Sequence, residues 1–166
     1  MSTEIRHHPD GATLMSYAAS AIAEPLAAVV AAHLSMCRRC RAEIADLERL
    51  GSAIMLSSPR QAGDAALQVP KLPLDVERPV AQRIAHVHER LPAPIAAAYS
   101  LSLASIPWKR LGPGVWHHRL ALRQESDGDL RLLRIAPGRT MPDHGHGGAE
   151  LTLVIEGAYT DITGTY

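Results

Sequence analysis

The stretch His33-Leu34-Ser35-Met36-Cys37-Arg38-Arg39-Cys40 decides how the first part of this chain folds. His33 and Cys37 stand at i and i+4, so on a helix both side chains lie on one face. Cys37 and Cys40 have the Cys-x2-Cys spacing that brings two sulfurs to one tetrahedral zinc ion. A structural zinc site needs a fourth ligand, and either His7 or His8, just before the first helical segment, can supply it. The spacing therefore predicts that Zn²⁺ holds a helical domain together.

Two simpler interpretations compete with the zinc site. A Cys-x2-Cys pair also occurs as a redox dithiol in thioredoxin-like folds, where it follows a β-strand. No strand pattern precedes Cys37, and His33 taken alone would be an ordinary helix histidine. One histidine and two cysteines so close together favour zinc. Zinc-bound thiolates can still be oxidised, so a zinc site does not exclude redox chemistry.

Alanine content and helical periodicity predict a four-helix domain over residues 1–92. Of the 26 alanines, 22 precede residue 105, and alanine is the best helix former. Asp10 or Thr13 is expected to cap the first helix, and Pro25 suits the first turn of the second. Apolar residues recur at helical spacing over 13–23, 25–35, 38–56 and 76–91, with a Pro-containing linker at 57–75.

The apolar stripes of the third and fourth predicted helices have different expected partners. The third is expected to face the inside of its own domain, and the fourth to face another protein as a helix in a groove. The inward residues of the third helix are Ile44, Leu47, Leu50 and Ile54, and the stripe of the fourth is Val80, Ile84, Val87 and Leu91.

The remainder of the chain has the composition of a β domain. An interdomain linker is expected over 93–105 and a β domain over 106–166. Short runs rich in Leu, Val and Ile predict strands, and Ser126-Asp127-Gly128-Asp129 predicts a hairpin turn between two of them. The predicted strands are Val115 to Leu122, Leu130 to Ile135 and Leu151 to Ile155. The fold class is therefore α+β.

A second metal motif lies in this β domain. Gly138, His144, His146, Glu150 and Gly157 have the spacing of the first motif of cupins, which they resemble. Residues two apart on an extended segment share a face, so both imidazoles point the same way and Glu150 joins them from the next strand. Such a set suits Zn²⁺, iron or manganese. The alternative is a histidine-rich surface loop.

The resemblance to cupins is incomplete. Cupins usually add a histidine from a second motif, and no histidine follows His146. A jelly roll has about eight strands, and residues 106–166 are expected to form only part of one. The second metal is therefore expected to bind more weakly than the first.

Residues 7–41, HHPDGATLMSYAASAIAEPLAAVVAAHLSMCRRCR, resemble the zinc-binding domain of ChrR-type anti-sigma factors. The resemblance implies a zinc anti-sigma domain of four helices, the fourth clasping a sigma factor, joined to a cupin. It also implies that His8 rather than His7 completes the zinc site with His33, Cys37 and Cys40.

The sequence therefore predicts a regulator that binds an extracytoplasmic-function sigma factor and releases it under a stress such as reactive oxygen. Net charge is zero, with 17 basic and 17 acidic residues, so direct nucleic-acid binding is not expected. No apolar stretch approaches a membrane span or a secretory signal, which favours the cytoplasm. The chain is not expected to be an enzyme. The alternatives are a cupin metalloenzyme such as an iron dioxygenase, and a metal or redox module without a sigma partner.

Overall fold

The computed structural model describes residues 5–57, 91–122, 128–139, 147–160 and 164–166. Four described helices precede an antiparallel sheet of three strands, which confirms the α+β class. The helix predicted over 76–91 lies, apart from Leu91, outside the described residues. The helices are α1 (Gly11–Ala18), α2 (Glu24–Met36), α3 (Arg38–Ser57) and α4 (Ala93–Tyr99), and the strands are β1 (Lys109–Gly112), β2 (Val115–Arg119) and β3 (Arg131–Ile135).

Local sequence signals determine where the first two helices begin. Asp10 caps α1, since its Oδ1 accepts a hydrogen bond of 2.7 Å from the backbone N–H of Thr13. The helix ends at Ala18, earlier than expected, because Ser20 takes a left-handed conformation with φ of 55°. Pro25 lies in the first turn of α2, where its missing N–H costs no helical hydrogen bond.

The three N-terminal helices pack around a small core that contains both cysteines. Its buried members are Leu14 of α1, Val30 of α2, and Cys37, Cys40 and Ile44 at and after the α2–α3 junction. We name this group the cysteine core.

The third helix is buried over its first half only. Leu47 packs against the cysteine core, whereas Leu50 and Ile54 are 58% and 57% exposed, so the expectation that they face inward is wrong. The reason is length: α1 has 8 residues and α2 has 13, while α3 has 20 and extends beyond them.

The range 93–105, expected to be a linker, contains α4. Its sequence is APIAAAY, in which Pro94 lies in the first turn and three alanines follow, a composition that favours a helix. Helix α4 packs against α2. A second core therefore joins helices and sheet, and its buried members are Ala32, Leu91, Ile95, Ile106, Leu120 and Leu130.

The predicted hairpin is confirmed by its pairing. Strands β2 and β3 are antiparallel, with Val115 opposite Ile135 and Arg119 opposite Arg131. Strand β1, which pairs with β2, is not among the predicted strands. Residues 151–155, expected to be a strand, are described but belong to none of the strands of the sheet. Gly138 and Gly157 both have positive φ, 71° and 83°, a backbone conformation that glycine adopts without steric cost.

Candidate metal centre

The junction between α2 and α3 brings three candidate ligands to one side. Cys37 is the single residue between the two helices, with φ −103° and ψ 110°. Its N–H donates to the carbonyl of His33 at 2.9 Å, and its own carbonyl accepts from the N–H of Arg41 at 3.2 Å. The helical hydrogen bonds therefore continue on both sides of a one-residue break. His33, Cys37 and Cys40 are all buried.

The segment before α1 supplies the fourth candidate ligand. The Nδ1 atom of His8 lies 3.4 Å from the Sγ of Cys37 and 3.4 Å from the Sγ of Cys40. The Nε2 atom of His33 lies 3.3 Å from the Sγ of Cys40. One ligand atom from each of the four residues falls within 4.8 Å of all the others, and no other such group occurs in the described ranges.

This geometry fits a tetrahedral zinc ion. With Zn–S near 2.3 Å and Zn–N near 2.0–2.1 Å, ligand atoms at the corners of a tetrahedron are about 3.3–3.8 Å apart. The three N···S separations of 3.3, 3.4 and 3.4 Å are close to the value of about 3.5 Å that these bond lengths give for a nitrogen and a sulfur on one zinc ion. Two thiols and two imidazoles form a closed His₂Cys₂ set, which is typical of structural rather than catalytic zinc. Calcium and magnesium prefer oxygen ligands and do not suit it.

Burial favours the neutral forms of Cys40 and His33 when no metal is bound. Burial, with the neighbouring Cys37, raises the pKa of the Cys40 thiol to about 11. Burial, with the nearby His8, lowers the pKa of the His33 imidazole. Neutral imidazole is the form that binds zinc, whereas a thiol must lose its proton. Metal binding here therefore releases protons, mainly from sulfur.

The structure distinguishes the two adjacent histidines. His8 points to the cysteines, and its ring lies edge-on to that of His33 with centroids 5.6 Å apart. His7 contacts the end of the chain instead, where its Nε2 donates to the carbonyl of Thr165 at 3.1 Å. The geometry favours His8 as the fourth ligand, as the family resemblance implies.

The second metal motif is described only in part. His144 and His146 lie outside the described residues. Glu150 is exposed, and one of its carboxylate oxygens accepts a hydrogen bond of 3.4 Å from the hydroxyl of Thr152. A metal site from these three residues therefore stays a prediction.

The predicted sigma-binding stripe is also described only in part. Val80, Ile84 and Val87 lie outside the described residues. Leu91 is 6% exposed and packs in the core shared by α2, α4 and the sheet. In this fold Leu91 contacts its own chain, which differs from the expectation that it faces a partner.

One residue that packs against the cysteine core is not among the predicted site residues. Leu151 packs against the cysteine core. It lies in the β domain of residues 106–166, which we also name the β half. It directly follows Glu150, and its only sequence signal is its place in the apolar run 151–155. That run was expected to be a strand, not a contact with the helices.

Two comparisons with known proteins bear on the whole arrangement. Residues 97–166 match the family described as the ChrR cupin-like domain. The anti-sigma-E factor ChrR of Cereibacter sphaeroides is 39% identical over 162 residues, which are 96% of this chain and 74% of that protein. This chain belongs to the ChrR family of anti-sigma factors. The ChrR resemblance drawn from the zinc ligands is thereby confirmed.

A solved structure extends the similarity to the fold. The crystal structure of Rhodobacter sphaeroides SigE in complex with the anti-sigma ChrR matches with a TM-score of 0.77 and 36% identity. The match covers 98% of this chain and 83% of that one. These ChrR proteins are described as anti-sigma factors and not as enzymes. Among the described helices of this ChrR-family chain, none has the length and apolar character needed to cross a membrane.

Proposed function

We propose that this chain is an anti-sigma factor that binds an extracytoplasmic-function sigma factor and keeps it from RNA polymerase. The observation that carries the proposal is its 39% identity, over 96% of its length, to a protein named as an anti-sigma factor. The 0.77 TM-score to a ChrR solved in complex with SigE supports the same partner class.

In this proposal zinc is a structural metal that holds the anti-sigma domain together. His8, His33, Cys37 and Cys40 come from the N-terminal segment, from α2, from the junction and from α3. The cysteine core has only five buried members, so a metal that links these four parts of the chain adds much of the folding free energy. Zinc in a closed four-ligand site supplies structure rather than catalysis.

The exposed end of α3 supports a protein partner. Leu50, Ile54, Met55 and Leu56 are 58%, 57%, 81% and 86% exposed, and they follow one another within two helical turns. Clustered exposed apolar side chains mark interaction sites more often than scattered ones do. We propose that the sigma factor lies against this end of α3, with Val80, Ile84 and Val87 on its other side.

The β half is proposed to regulate release. His144, His146 and Glu150 are assigned to a second divalent metal, with Zn²⁺ as the first candidate. An open, three-ligand site can admit an oxidant or small ligand. We assign the anti-sigma role to residues 1–92 and the sensing role to 106–166, with release under reactive oxygen as the proposed response.

Co-purification tests the proposal directly. The full chain is co-expressed with each extracytoplasmic-function sigma factor of its source organism, and the complex is assayed for transcription by RNA polymerase. We expect one stable, transcriptionally silent pair. Ile54→Asp puts a charge on the exposed apolar end of α3 and should weaken the pair at least tenfold. Ala45→Asp, exposed on the opposite face of the same helix, is the matched control. If no sigma factor binds, or if both variants bind alike, the proposal or its contact surface is wrong.

A further inference from the structure

The last residues of the chain form a small antiparallel pair. Tyr159 and Tyr166 exchange two backbone hydrogen bonds, of 3.0 and 2.8 Å, and Thr160 bridges to Thr165. The hydroxyls of the two threonines are 3.0 Å apart. We name residues 159–160 and 164–166 the C-terminal strand pair.

His7 docks this pair onto the segment that precedes α1. Its Nε2 donates to the carbonyl of Thr165 at 3.1 Å, and its ring lies 4.3 Å from the ring of Tyr166. The side chain of the next residue, His8, contacts the sulfurs of Cys37 and Cys40 instead. Two consecutive side chains therefore connect the end of the β half to the metal centre through a single peptide unit.

We propose that the C-terminal strand pair positions the zinc ligand His8 through His7, so that movement of the β half changes how fast the anti-sigma domain releases zinc. This inference rests on the proposed zinc site, and it does not depend on which sigma factor binds. His7 is a positioning residue and not a ligand.

The position of His8 in the chain explains why it needs support. His33 and Cys40 are held by helices, whereas residues 5–10 belong to neither helix nor strand. Ordering such a segment costs conformational entropy. Because His7 is already docked on the C-terminal strand pair, part of that entropy cost is removed before the metal binds to His8.

A second contact joins the β half to the same core. Leu151 packs against the cysteine core, and the residue beside it is Glu150, one of the three proposed ligands of the second metal. The β half thus touches the surroundings of the zinc site at two places, Leu151 and the C-terminal strand pair. A rearrangement at the proposed second metal site can therefore affect the zinc site through these two contacts.

Zinc release from the full-length chain tests the inference. His7→Ala removes both the hydrogen bond to Thr165 and the ring contact with Tyr166, and we expect it to speed zinc transfer to a colorimetric chelator about fivefold. Tyr166→Ala removes the ring contact alone and should speed the transfer less. Bound zinc at the start should be unchanged. The double variant should release zinc no faster than His7→Ala, because the Tyr166 ring contact is already lost when His7 is replaced. Arg6→Ala, exposed one position earlier, is the matched control and should release zinc at the wild-type rate.

Hydrogen exchange provides a readout that a merely structural role would not move. Docking that strengthens zinc binding implies that zinc at His8 stabilises the C-terminal strand pair by the same free energy, because coupling between two binding equilibria is reciprocal. Removing zinc should speed exchange of the Tyr159 and Tyr166 amides in the wild type but not in His7→Ala, where the contact is already lost. Equal release rates in all variants, or exchange that ignores zinc, would overturn the coupling while leaving the zinc site intact. A wild-type chain that binds no zinc would overturn both.

Discussion

The Nδ1 atom of His8 lies 3.4 Å from the Sγ of Cys40, although 32 positions separate the two residues. This contact closes the small helical bundle, since the N-terminal segment meets the first turn of α3 there. Cys40 is fully buried, and its backbone N–H also points to the Sγ of Cys37 at 3.5 Å. The two sulfurs and the imidazole thus form one cluster that suits a shared metal ion.

Replacing Cys40 with serine should remove zinc and destabilise the bundle. A hydroxyl is a poor zinc ligand, and the closed site loses one of its four donors. We expect the thermal midpoint to fall by at least about 5 °C and helicity to drop. Metal analysis and circular dichroism measure this. Ser52→Ala, on the exposed face of α3, is the control and should change stability by less than about 0.5 kcal/mol. A Cys40→Ser protein with full zinc content would contradict the site.

The adjacent histidines should behave differently on substitution. His8→Ala should lower zinc content well below one ion per chain, because it removes a ligand. His7→Ala should keep the stoichiometry, because its side chain contacts Thr165 and Tyr166 instead. Metal analysis after gel filtration compares the two. The opposite pattern, with zinc lost only in His7→Ala, would mean that the ligand is the other histidine.

The stability of the zinc-free protein should peak near neutral pH. Burial lowers the pKa of His33. Its contribution to the free energy of unfolding is therefore fully present above about pH 6.5 and is lost as the pH falls through the lowered pKa. Burial raises the pKa of Cys40 to about 11, so its contribution is present below 9.0 and is lost between 9.0 and about 11. Urea unfolding of chelator-treated protein at a series of pH values measures the loss of stability on the acid side and on the alkaline side.

Zinc-loaded protein is the control for the loss of stability at alkaline pH. The metal holds the Cys40 sulfur as thiolate in the folded state, so no proton remains to be lost there. The decline above pH 9 should therefore disappear when zinc is bound. An alkaline decline of the same size with and without zinc would show that another group causes it.

Two stripe residues of the predicted fourth helix should separate binding from folding. Ile84→Asp should weaken sigma-factor binding at least tenfold while the chain stays folded, because a charge would enter the proposed contact. Leu91→Asp should instead unfold the chain, because Leu91 is packed in the shared core. Arg83→Asp, off the stripe, is the matched control for Ile84. Native binding by a folded Ile84→Asp chain would remove this helix from the contact.

Replacing Glu150 with alanine should remove the second metal and spare the first. Glu150 is the only carboxylate of the proposed set, and a three-ligand site holds metal more weakly than a closed one. After brief dialysis against chelator, both wild type and Glu150→Ala should retain the zinc at the cysteines. Before dialysis, only the wild type should carry a second metal. Glu156→Ala, also exposed, is the control. Two metals per chain in all three proteins before dialysis would exclude Glu150 as a ligand, and one metal per chain in all three would exclude the second site.

Local sequence determined most of the secondary structure and the identity of the candidate ligands. The cap at Asp10, the proline in the first turn of α2 and the pairing of β2 with β3 follow from residues close together in the chain. Such signals act through backbone conformation and helical periodicity, so they can be read without knowing the fold. The spacing from His33 to Cys40 belongs to the same class.

Only the tertiary structure decided which residues contact one another across the chain. The different orientations of His7 and His8, the burial of Leu91 and the contact of Leu151 with the cysteine core all depend on distant partners, 158 positions away in the case of His7 and Thr165. The exposed end of α3 likewise results from the shorter helices beside it. Adjacent residues with the same side chain look alike in a sequence, and only packing gives each of them a partner.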